Sequence, residues 1–157
     1  MIRAVSHLAI GVRDLDATLP FYRDLLGMRV VVDREERFRD PSKEPPAEMR
    51  RRAVYLRWAD GEDTQFVVLD QQLGTPAGGE PAQLFQIGIH HIAFWVNDIQ
   101  PYVDGAASFG GRAVAAPVES GGASYAEPEG SRVRTVYLTD PEGNLVQLDQ
   151  RLVSAWP

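Results

Sequence analysis

Two histidines stand 84 residues apart in matching surroundings: Ser6 to Leu15 reads SHLAIGVRDL, and His90 to Ile99 reads HHIAFWVNDI. An imidazole near neutral pH can bind a ligand or carry a proton, but a lone strand histidine is usually just a hydrogen-bonded core residue. Repetition changes that balance. If the two segments belong to modules related by a pseudo-two-fold, His7 and His91 occupy equivalent places and face one shared cavity. Tyr137 adds a hydroxyl that could donate a proton or a hydrogen bond to a bound substrate, although Tyr55 fills the repeat-equivalent place and packing is the alternative role. Arg132 and Arg134 could clamp an anionic substrate or simply face water. The chain has no cysteine, which removes disulfides, thiol catalysis and zinc–thiolate sites together. No Ser–His–Asp order, phosphate-binding loop or dinucleotide fingerprint is present.

The elements that must position these groups are themselves written twice. At the same offset Asp14 meets Asp98, Leu25 meets Phe109, Gly27 meets Gly111 and Val30 meets Val114. RAVYL from Arg52 then matches RTVYL at an offset of 82, and LDQ from Leu69 matches LDQ from Leu148 at an offset of 79. Small deletions in hairpins account for the drift. A period near 80 residues suits two fused half-domains, each with a core too small to be stable alone.

Residues 4–12 read as a buried strand, Asp14 as a helix N-cap, and Leu15, Leu19, Tyr22 and Leu26 as one helical face ended by Gly27. Pro20 conflicts with a regular helix and predicts a kink or a late start. A strand follows over Met28 to Asp33. Residues 39–50 are polar and proline-rich and read as a loop or short surface helix. Runs 52–58 and 64–69 around ADGED read as a hairpin. In the second half a strand is expected over 89–96, a helix over 98–109, and strands near 113–118, 132–139 and 144–149, the last two joined by DPEGN. The fold class is α+β. Residues 1–157 form one domain of two βαβββ modules, 1–70 and 89–157, joined by a linker over 71–88.

At 157 residues and 44% hydrophobic content, the chain can bury one substantial core. Its net charge of −6 argues against nucleic-acid binding, because there is no basic excess to neutralise phosphates. Arg50, Arg51 and Arg52 are read as a solvated strand entrance in preference to an anion site. No apolar run approaches a membrane span, and the first ten residues lack the features of a secretory leader, so the cytosol is the expected compartment.

SHLAIGVRDL with FYRDLLGM, GIHHIAFWVND and VYLTDPEGNLVQL together make the chain resemble the vicinal oxygen chelate superfamily, over nearly its whole length. That group holds glyoxalase I, methylmalonyl-CoA epimerase, extradiol dioxygenases, fosfomycin-resistance transferases and bleomycin-resistance proteins. The resemblance implies two βαβββ modules whose sheets pair into a cup with a divalent metal at its base, and a homodimer. Its ligand positions fall on His7 and His91, with His90 turned to the opposite face. The ligand at the end of the first module falls on Val67, or on Val68 in the LDQ register, and is apolar either way. The last falls on Gln147, an amide where the family has glutamate. Metal would thus rest on His7, His91 and Gln147, its identity open among Fe, Mn, Ni and Zn. Two imidazoles and an amide leave its charge uncompensated, and Glu127, Glu129 and Asp149 are the carboxylates that could compensate.

Two readings follow from the resemblance. One is a dioxygenase- or lyase-like enzyme acting on a small oxygenated substrate, with Tyr137 as a catalytic candidate. The other is a metal-free binding protein for a small molecule or antibiotic. Beside these two stands a domain that has kept the fold for assembly or regulation alone. The aromatics Phe66, Phe94, Trp58 and Trp95 read as core or inter-sheet packing. Trp95 is expected to join the face of His91 only through a bulge, and stays outside the site.

Overall fold

The computed structural model describes residues 1–40, 42, 44, 45 and 47–157. The chain divides into two compact units, Met1–Gly79 and Glu80–Pro157. Each carries its own sheet.

In the first unit, β1 (His7–Val12) leads into helix α1 (Leu15–Pro20), followed by β2 (Arg29–Asp40), β3 (Ala47–Arg57) and β4 (Phe66–Leu73). The sheet runs β1-β4-β3-β2, with β1 parallel to β4 and the other pairs antiparallel. The second unit repeats this as β5 (His91–Trp95), α2 (Gln100–Gly105), β6 (Arg112–Ala113), β7 (Val118–Gly121), β8 (Arg132–Thr139) and β9 (Leu145–Val153). Its order is β5-β9-β8, with β6 and β7 both pairing with the far side of β8. The expected α+β pattern of two βαβββ modules is therefore present. The outer strand expected near 113–118 is broken in two, because Pro117 lacks the N–H that a ladder position there would need.

Local chemistry sets the helices. Asp14 is extended and its Oδ1 accepts from the Ala17 N–H at 3.0 Å, which satisfies one of the free donors of the first turn. Pro20 ends the regular α-helix, and Phe21–Leu25 continue as one wide turn in which the Leu26 N–H reaches back to the Phe21 carbonyl. The expected disturbance at Pro20 takes this form. Gly27, at φ +72°, then reverses the chain in the left-handed region that a side chain disfavours. In the second unit α2 tightens into a 3₁₀ turn over Ala106–Phe109.

The repeated LDQ has a physical reason. The Gln71 Oε1 accepts from the Leu15 N–H at 3.1 Å, and the Gln150 Oε1 from the Ile99 N–H at 3.3 Å. Each glutamine thus ties the last strand of its unit to the start of its helix, using a backbone donor that the helix itself cannot satisfy. On the helix side of each sheet lies its core: Val54, Leu56, Val67 and Leu69 with Leu15, Leu19, Phe21 and Tyr22 in the first unit, and Val136, Leu138, Val146 and Leu148 with Ile99 and Ala106 in the second. All are buried, each large side chain contributing about 1.5–3 kcal/mol of transfer free energy.

Three expectations need correction. Residues 39–50 are not a loop throughout: Arg39 and Asp40 belong to β2 and 47–50 to β3, while Pro41, Lys43 and Pro46 lie outside the described residues. The strands persist through a polar sequence because opposite charges face one another across the hairpin. Arg50 pairs with Glu35 and Arg52 with Asp33, both at 2.8 Å. Arg50–Arg52 are thus cross-strand partners within β3: Arg50 is exposed, as a solvated run would have it, while Arg51 and Arg52 are half-buried. Finally, Gln71–Leu73 are part of β4, so the segment expected as linker begins later, and the units divide after Gly79. Among the described residues no helix is long and apolar enough to cross a membrane.

Candidate functional site

The face of the second sheet opposite its helix is set by register. His91 pairs with Leu145, Ala93 with Gln147 and Trp95 with Asp149 across β5 and β9. Across β8 and β9, Tyr137 pairs with Gln147 and Thr135 with Asp149. Paired residues share a face, so His91, Trp95, Thr135, Tyr137, Gln147, Asp149 and Arg151 form one surface. β5 pairs without a bulge from His91 to Trp95. That overturns the exclusion of Trp95, whose side chain shares the His91 face by ordinary alternation.

Each candidate group on this face has a defined state. His91 approaches His90 with Nδ1–Nδ1 at 2.8 Å, so one of these nitrogens carries a proton and the other accepts it. His90 precedes the strand, which corrects the expectation that it alternates to the opposite side. Burial, with the neighbouring His90 charge second and Asp149 opposing, holds His91 below the ordinary imidazole range. A neutral ring with Nδ1 engaged leaves Nε2 for a partner. Tyr137 meets His91 edge to face at 5.5 Å. Its hydroxyl makes no hydrogen bond among the described residues, and burial, then Tyr125 and Asp149, raise its pKa, so it stays protonated and able to donate. Tyr55, its repeat equivalent, instead donates to Glu36 at 3.1 Å.

Gln147 is buried and its Nε2 donates to Asp149 at 2.8 Å and 3.0 Å. Asp149 also accepts from Thr135 Oγ1 at 2.5 Å. Of the three carboxylates considered as compensators, Glu129 is exposed and Glu127 is taken by Arg151 and by the Trp156 indole at 2.6 Å. Only Asp149 touches a candidate ligand. The Arg151 guanidinium lies 3.7 Å over the Trp95 ring, an electrostatic stack on the ring face, which leaves Trp95 44% exposed. Trp58 is likewise 43% exposed, so neither tryptophan is the core residue expected. Arg132 is paired with Glu119, and Arg134 reaches Gln100 at 3.4 Å and stands opposite Gln150, on the other face of the sheet from His91.

His7 stands on the equivalent face of the first sheet. Ser6 Oγ lies 2.7 Å from its Nδ1, and its ring stacks on Phe66 at 5.0 Å. β1 pairs His7 with Phe66 and Ala9 with Val68, so Val68 shares the His7 face and Val67 points into the helix-side core. Val68 also pairs with Tyr55 as Gln147 pairs with Tyr137. The alternative between Val67 and Val68 thus resolves to Val68. Elsewhere on that face Arg51 joins Glu36 and Asp70, with Gln72 donating to Asp70 at 3.1 Å.

Among the described residues no three histidine, cysteine, aspartate or glutamate side chains gather as a metal ion would require. Taken one by one, the three candidates offer donor atoms that a divalent ion of borderline hardness accepts. In each, the second polar atom is engaged: Nδ1 of His7 by Ser6, Nδ1 of His91 by His90, Nε2 of Gln147 by Asp149. The remaining atoms are two imidazole nitrogens and a carbonyl oxygen, donors that such ions accept. Sequence reasoning missed Ser6, Thr135 and the Arg151–Glu127–Trp156 group.

Two βαβββ units of one topology are the architecture that the vicinal oxygen chelate resemblance implies. The family model for the Glyoxalase/Bleomycin resistance protein/Dioxygenase superfamily matches residues 4–148, and the chain belongs to that superfamily. No curated protein matches the sequence significantly. Among solved structures, a glyoxalase family protein from Bacillus cereus superposes with a TM-score of 0.73 at 17% identity, covering 98% of this chain and 97% of that one. Fosfomycin resistance protein FosX from Mesorhizobium loti gives 0.56 at 20% identity, covering 96% and 93%. Glyoxalase I from Zea mays gives 0.62 at 22% identity, covering 94% of this chain and 45% of that one. The chain thus spans about half the length of the maize enzyme. At these identities the likeness is one of fold.

Proposed function

We propose that the protein is a divalent-metal-dependent enzyme acting on a small oxygenated molecule by dioxygenase- or lyase-like chemistry, with His7, His91 and Gln147 as metal donors. One observation carries this reading: all three side chains have their second polar atom engaged, leaving one donor atom each. A bound ion would supply Lewis acidity toward vicinal substrate oxygens. Tyr137, protonated and unengaged, would donate a hydrogen bond to the substrate. Glyoxalase and epimerase chemistry fit less well, since both need a carboxylate base and Val68 and Gln147 stand where one would be.

A specific observation favours the metal-free alternative. Val68 brings an apolar side chain to the His7 face, and the three remaining donors carry no charge of their own. In that reading the same groups accept hydrogen bonds from a sequestered small molecule and nothing turns over.

Elemental analysis of untagged protein, before and after incubation with Fe(II), Mn(II), Ni(II) or Zn(II), decides between them. Near-stoichiometric metal that is lost in His7→Ala and His91→Ala supports the enzyme and identifies the ion for assay. Absence of metal under all four conditions removes it and leaves the binding protein.

A further inference from the structure

We propose that Asp149 is a positioning residue: it holds the Gln147 amide so that the carbonyl oxygen is the atom offered to a ligand. The inference rests on the proposed role of Gln147. A carboxylate has only acceptors, so the opposite amide orientation would set oxygen against oxygen. With Nε2 2.8 Å and 3.0 Å from the two Asp149 oxygens, the orientation is chemically compelled. Asp149 is fixed in turn by Thr135 Oγ1 at 2.5 Å. Gln147 and Asp149 are 7% and 5% exposed, so water competes little for these bonds.

The first unit shows what Asp149 does not do. Its counterpart in the repeated LDQ, Asp70, holds Arg51 and Gln72, and Val68 stands where Gln147 would be. The same aspartate is a structural ion-pair partner in one unit and an amide anchor in the other. In the second unit the negative charge has moved two residues along the strand, behind the donor that contacts the ligand. The group that meets Gln147 is therefore a cation or a hydrogen-bond donor, and an anionic group is disfavoured.

This arrangement reverses the simplest expectation about Gln147→Glu. A glutamate there would face Asp149 across a hydrogen-bonding distance, and the two negative charges would push the new side chain out of place. Pairing it with Asp149→Asn exchanges the roles of acid and amide at unchanged total charge and restores a donor–acceptor pair.

The test has two arms. In protein labelled with ¹⁵N-glutamine, the Gln147 side-chain amide, assigned by its loss in Gln147→Leu, should show a downfield, slowly exchanging proton that disappears in Asp149→Asn while the backbone spectrum is retained. An unchanged amide signal in Asp149→Asn overturns the proposal. In Mn(II) and Ni(II) titrations by calorimetry, Asp149→Asn should weaken binding by about 10–100-fold. Gln147→Glu should also weaken it, and Gln147→Glu/Asp149→Asn should recover to near the wild-type value. Tighter binding by Gln147→Glu alone, or no recovery in the double variant, likewise overturns it. If wild-type protein takes up neither ion, the same titrations are read with Zn(II) and, under anaerobic conditions, Fe(II), and the amide spectrum still decides the role of Asp149.

Discussion

Tyr137 and Tyr55 show how far a single side chain can be read from sequence. Both occupy the same place in the repeat, which suggested a shared packing role, yet Tyr55 is bonded to Glu36 while the Tyr137 hydroxyl, beside His91, has no partner among the described residues. The difference lies in β2, which supplies Glu36 and has no counterpart of that length in the second unit. Tyr137→Phe should therefore leave metal content unchanged and weaken substrate or ligand binding by about 0.5–1.5 kcal/mol, one neutral hydrogen bond. Equal loss of metal would refute the donor role. The histidine pair and Gln147 could be picked out from the repeat and the family resemblance. The Trp95 face could have been found as well, since counting by two from His91 reaches it, and the supposed need for a bulge was an error of parity. Ser6 and Thr135, by contrast, carry no signal until register is known.

At the scale of elements, strand and helix order was legible because apolar periodicity and turn residues agree with it. Strand length in the first unit was not. Arg50, Arg51, Glu35 and Glu36 look like loop composition, and only their facing across β2 and β3 turns them into strand residues. The Arg51–Glu36–Asp70 group is partly buried, and Asp70→Ala should cost about 1–3 kcal/mol in denaturant unfolding by removing one of the two carboxylates that hold Arg51. Metal or ligand uptake should not change with it, in contrast to Asp149. The other clasp lies at the end of β9. The Glu127 carboxylate is held below the usual carboxylate range by its Arg151 hydrogen bonds, with the Trp156 indole helping and burial opposing. A depressed carboxylate contributes stability above its unfolded pKa and loses it as pH falls through the folded one. Acidification below the ordinary carboxylate range should thus release Trp156, read as a fluorescence change that Glu127→Gln shows already at neutral pH. A signal in Glu127→Gln identical to wild type across the range would disprove the clasp.

For the molecule as a whole, the duplication made the architecture legible before any site. Two copies of one topology were inferred from matching segments, and two sheets of that topology are present. What duplication could not convey is how the copies differ: beside a histidine and a tyrosine, the open face of one sheet carries an arginine–carboxylate group, and that of the other an amide held by a carboxylate. The superfamily resemblance also implies a homodimer. Sedimentation equilibrium should then give twice the 17.4 kDa chain mass, and a monomer at all concentrations would refute this.

The paired glutamine tethers, Gln71 to the start of α1 and Gln150 to the start of α2, also constrain how the gene can change. Between the two copies the offset drifts from 84 to 82 to 79 residues, yet no residue has been gained or lost inside either LDQ. A one-residue slip there would turn Asp149 and Gln147 toward the helix and the helix-capping glutamine toward the open face, exchanging core for site. Insertions and deletions are therefore tolerated in the hairpins and lethal to the site within that tripeptide. Libraries meant to reshape specificity should vary loop lengths and leave those three positions in frame.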